Sequence, residues 1–129
     1  MKNIDNTVLV IAAAYCLLHL LILLQIMPLN IVWGGKIESV DTIYILEGIA
    51  LVTMAFPGLV IMIKKRIIKP IFGEKAISRI LLIYAFFFML NTVGNLLAET
   101  YIEKVQAAIT LYLAVALFYL SKPKPHENT

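Results

Sequence analysis

The chain is 129 residues long, 61% hydrophobic and 15% charged, with a net charge of +3 and a single cysteine. Soluble domains average about 45–50% apolar and about 25% charged residues, so the composition excludes an ordinary soluble fold, and the length leaves room for one domain. One cysteine excludes an intrachain disulfide, and a bilayer accounts for the small positive balance without any nucleic-acid partner.

The apolar residues are gathered into long blocks. A hydrocarbon core about 30 Å thick takes roughly 20 apolar residues in a helix rising about 1.5 Å per residue. Four blocks meet that length, and helices are predicted over about 8–27, 42–63, 77–98 and 102–120. The expected fold is an all-α membrane protein. It is a four-transmembrane-helix up-down bundle with an ordered outer loop between helices 1 and 2, forming one integral domain over residues 1–129.

The first block is interrupted only by His19 and Gln25. It is longer than the roughly 7–15 residues of a signal-peptide core, and no small-x-small cleavage site follows, so a retained span is expected. Cys16 lies mid-span and reads as an inert packing residue. The loop from Pro28 to Asp41 is mostly apolar, with Trp33 suited to the interfacial belt and Gly34-Gly35 permitting a tight reversal. It is expected to fold over the bundle mouth, making Trp33, Gly34 and Gly35 a lid candidate. Ser39 and Asp41 are both plausible caps for the second helix.

In the second span, Tyr44, Glu47, Leu51 and Met54 share a face, and Pro57 frees the carbonyl of Thr53, predicting a kink. The segment from Lys64 to Lys75 mixes cations with Ile67, Ile68, Ile71 and Phe72, so it should lie along the headgroups. Its Lys64, Lys65, Arg66 and Lys69 could hold anionic lipid at about 1 kcal/mol per cation. In the third span Asn91, Asn95 and Glu99 recur every four residues, and Gly94 is a place where another backbone could approach. The fourth span opens among Glu103, Lys104 and Gln106, with Gln106 and Thr110 on one face, and the tail over 121–129 is expected to be disordered.

An even number of spans puts both termini on one side. Nine of the Lys and Arg residues fall on that side and only Lys36 and Lys104 on the other. The positive-inside rule then predicts N-in, C-in topology, here assigned to a bacterial inner (plasma) membrane. The strongly polar residues follow the opposite asymmetry. At the helical rise, His19 lies about 12 Å from its span's outer end, Glu47 about 8 Å, Asn91 about 10 Å and Asn95 about 5 Å. Together with Tyr44 and Gln106 they form the candidate ligand-binding cluster, centred on Glu47, which is costly in lipid unless it faces inward and is paired. Opposite Glu47, His19 could share a proton with it.

Three functions fit this pattern. The first is a binding or transport protein for a small amphipathic or lipid-like ligand, working as a homodimer or larger oligomer because four helices barely enclose a pore. The second is a non-catalytic accessory subunit whose polar cluster only stabilises the bundle. The third is a membrane-embedded, isomerase-like enzyme, which would need His19 and Glu47 within about 3 Å of each other or of a common ligand atom. The sequence carries no metal-ligand set, no nucleotide loop and no nucleophile motif, so no cofactor or catalytic residue is expected.

Overall fold

The computed structural model describes residues 3–28, 33 and 39–123. Among them are four helices and no strands: α1 (Ile4–Leu23), α2 (Val40–Lys64), α3 (Glu74–Leu97) and α4 (Tyr101–Ser121). Each is long and apolar enough to cross a membrane. Their outward faces carry large apolar side chains, among them Val10, Ile45, Val52, Ile83, Phe86 and Leu97, all more than 60% exposed. Such a surface would be insoluble around a water-facing bundle and is the natural exterior in lipid.

The ends of α1 and α2 and the starts of α2 and α4 are set by capping rather than by where apolarity fades. α1 begins four residues before the predicted start, with Asp5 in its first turn favouring the positive end of the helix dipole. It also stops four residues early. Gln25 takes a left-handed φ of 58°, its N–H bonds the Ile22 carbonyl, and the Ile26 N–H bonds the Leu21 carbonyl. That is the Schellman arrangement, made here without glycine. α2 ends the same way: Arg66 has φ 59° and the Ile67 N–H bonds the Met62 carbonyl. A non-glycine residue in this conformation costs roughly 1–2 kcal/mol. Arg66→Gly should therefore raise unfolding stability by about 1 kcal/mol, measured by thermal denaturation in detergent; a loss would show that the Arg66 side chain contributes more than its backbone costs.

At the other helix starts, Ser39 Oγ accepts the Thr42 N–H, which makes Ser39 the cap of α2 and leaves Asp41 in the first turn. α3 starts three residues before its predicted boundary, after Gly73. Thr100 and Glu103 form a capping box at α4, and that helix runs through Ser121 into what was expected to be tail. Residues 124–129, like Gly34, Gly35 and most of the outer loop, lie outside the described residues.

α1 packs chiefly on α2 and α3 chiefly on α4, giving two hairpins with much slighter contact between them. One end of the bundle is solid. Val8, Ala12, Val60, Ile61, Leu81, Phe88, Leu113 and Leu117 belong to a continuous buried core there. At the same end the Lys64 ammonium donates to the Leu120 carbonyl, and Lys65 donates to Asn6 and lies 3.1 Å from Asp5. The basic segment thus ties α2 to the free ends of α4 and α1. The close helix approach falls at Gly58, where an added Cβ would stand 3.5 Å from the Ala12 Cβ. It does not fall at Gly94, which has open space beside it because that face of α3 turns away from its neighbours. α2 continues unbroken through Pro57.

Candidate functional site

At the opposite end from the solid core the two hairpins part around a cavity of about 730 Å³. α1 contributes Tyr15, His19 and Ile22; α2 contributes Glu47, Ala50, Thr53 and Met54. Phe87, Phe88, Asn91 and Asn95 come from α3, and Ile102, Glu103, Gln106 and Thr110 from α4. The lining is graded. Carboxylates and amides gather toward the open helix ends together with Met27, Trp33 and Ile102, while Tyr15, Met54 and Phe88 lie deeper, next to the core.

Glu47 is the anchor on one wall. Its residue is 2% exposed, and both carboxyl oxygens are hydrogen-bonded. Oε2 shares a hydrogen bond with His19 Nδ1 at 2.6 Å, and the Trp33 indole Nε1–H donates to Oε1 at 2.8 Å. An indole nitrogen only donates, so Oε1 must be the acceptor of that pair. The His19 side chain is itself only 14% exposed and stacks at a tilt on Tyr15, ring centroids 6.2 Å apart. The sequence spacing places His19 and Glu47 on facing helices at similar depth, and the fold joins them directly. Trp33 is held with a left-handed φ of 53° and is 43% exposed at the cavity edge. It touches the cluster rather than merely anchoring the interface.

The opposite wall is chemically different. Asn91, Asn95 and Gln106 all line the cavity, yet none of their carboxamides is hydrogen-bonded to another described residue. The polar link between α3 and α4 is made instead by Thr92 and Thr110, whose hydroxyls meet at 2.9 Å. Among the described residues, then, it is the two threonines and not these amides that bond across the α3–α4 seam. Tyr44 stands apart: its hydroxyl accepts from the Gln25 amide, and it does not line the cavity.

Sequence reasoning missed Glu103, which had marked only the polar start of the fourth span. Its carboxylate lines the cavity, and Oε2 accepts from the Thr100 hydroxyl at 2.7 Å. The Thr-x-x-Glu spacing of a capping box, continued by Gln106 and Thr110, was the available signal. Among the described residues no group of three His, Cys, Asp or Glu side chains could hold a metal ion.

No protein-family model matches the chain, and no curated protein or solved structure is detectably similar to it.

Proposed function

We propose that this integral membrane protein binds, and moves between water and bilayer, a small amphipathic or lipid-like molecule held in the cavity between its two hairpins. The polar group of that molecule lies among Asn91, Asn95, Gln106 and the His19–Glu47 pair, and its apolar part lies against Met54, Phe87 and Phe88. The observation carrying this reading is the set of three carboxamides facing a cavity without protein partners. Asn91 is exposed and Asn95 and Gln106 are half-buried, so their donors and acceptors stay free for a ligand's polar group, whereas a bundle needing only stability would bond such groups to one another or replace them with apolar ones. The basic end faces the cytoplasm by the positive-inside rule, so the cavity opens on the other side. Of the four cations proposed to meet anionic lipid, Arg66 and Lys69 are exposed, whereas Lys64 and Lys65 are committed within the bundle end.

The test is Asn91→Leu with Asn95→Leu. Stability in detergent should stay within about 0.5 kcal/mol of the parent, as for changes that break no internal bond. Affinity for a dansyl-labelled dodecyl amphiphile should fall at least tenfold, about 1.4 kcal/mol. Unchanged binding with reduced stability would instead make the amides structural and favour the accessory-subunit reading. A second reading, acid–base catalysis, rests on the 2.6 Å His19–Glu47 contact, which meets the distance such chemistry requires.

A further inference from the structure

The charge balance of the cavity wall narrows the ligand class. Two carboxylates line it, Glu47 from α2 and Glu103 from α4, and no lysine or arginine among the described residues does. They differ in what they have left to offer. Glu47 has both oxygens occupied, by His19 and Trp33. Glu103 directs both of its capping contacts to Oε2, from the Thr100 hydroxyl at 2.7 Å and the Thr100 N–H at 3.4 Å. Its Oε1 has no partner among the described residues. Gln106 and Asn95 beside it add amide oxygens, which also accept, and the wall includes the rings of Tyr15, Phe87 and Phe88. Carboxylate, amide oxygen and aromatic face are the three groups that receive a desolvated ammonium.

We infer that the cavity selects an amphipathic cation, a single alkyl- or aryl-ammonium whose headgroup pairs with Glu103 while its apolar part lies on Phe87, Phe88 and Met54. This rests on the cavity-binding function proposed above and adds the sign of the ligand's charge. An anionic headgroup of equal size would meet the Glu103 carboxylate and no lysine or arginine, Glu47 being already paired with His19.

Trp33 is the only tryptophan in the chain and lies at the cavity edge, so its emission reports on occupancy. The full-length protein in phosphatidylcholine nanodiscs is titrated with three dodecyl probes: dodecyltrimethylammonium, neutral dodecyl maltoside and anionic dodecyl phosphate. Empty nanodiscs supply the partitioning baseline. The expected result is saturable quenching or shift of Trp33 emission by the cation at least tenfold tighter than by either other probe. Glu103→Gln should weaken the cation about tenfold and leave the neutral probe unchanged. Thermal denaturation establishes that the variant is folded, and the headgroup comparison on the parent protein stands without it. Equal binding of all three probes overturns the charge selectivity and leaves cavity binding intact. Cation preference untouched by Glu103→Gln in a folded variant overturns the assignment to Glu103. No saturable signal from any probe overturns both the inference and the function beneath it.

Discussion

Leucine in place of His19 is expected to lower the unfolding free energy by about 3–5 kcal/mol, the usual cost of leaving one member of a buried charge-bearing pair behind. The cause is specific: Glu47 is 2% exposed and would keep only the Trp33 indole as a partner. The informative measurement is the double-mutant cycle. Adding Glu47→Leu removes the stranded carboxylate, so His19→Leu/Glu47→Leu should be more stable than His19→Leu alone by about 2 kcal/mol, even though Trp33 then loses its acceptor. Denaturant titration of the four proteins in one detergent gives the coupling. Strict additivity would mean that the 2.6 Å contact carries no interaction energy.

A graded series at Gly58 probes the opposite end of the bundle. A Cβ there would stand 3.5 Å from the Ala12 Cβ, an ordinary van der Waals distance. Gly58→Ala should thus be accommodated, and the gain in helix propensity, up to about 1 kcal/mol, makes it neutral or stabilising. Gly58→Leu adds three further carbons to a seam already closed, forcing α1 away from α2 at a cost of about 1–3 kcal/mol. Thermal denaturation in detergent distinguishes the two, and equal stability of alanine and leucine variants would show that α1 and α2 do not pack at this point.

The four spans were readable from sequence because hydrocarbon thickness fixes how long an apolar helix must be. The pairing of His19 with Glu47 was also within reach, since helical rise gives depth without knowledge of packing. What depth cannot supply is rotation about the helix axis. These helices are apolar nearly all round, so no amphipathic stripe indicates which side faces the bundle. Hence Gly94 looked like an approach site although Gly58 is the one, and Tyr44 was grouped with Glu47 although its hydroxyl meets Gln25. The early end of α1 was hidden for another reason: its stop signal is a left-handed glutamine, and nothing in residue type announces that conformation outside glycine or asparagine. Glu103 was hidden by its double role, since a helix-starting acid at a span boundary is commonplace and its cavity-facing position depends on how α4 is turned.

The unequal packing of the four helices bears on how the chain assembles. Each strong partnership joins consecutive spans, α1 with α2 and α3 with α4, so both can form as soon as the second member of each pair is in the bilayer. The union of the two pairs rests on the fewest contacts, and it is this union that encloses the cavity. The seam with the slightest contact is the one that opens at least cost, so excursions of the native protein should begin as a parting of two intact hairpins rather than as fraying of individual helices. A molecule entering from the side would use the same line along which the protein was joined.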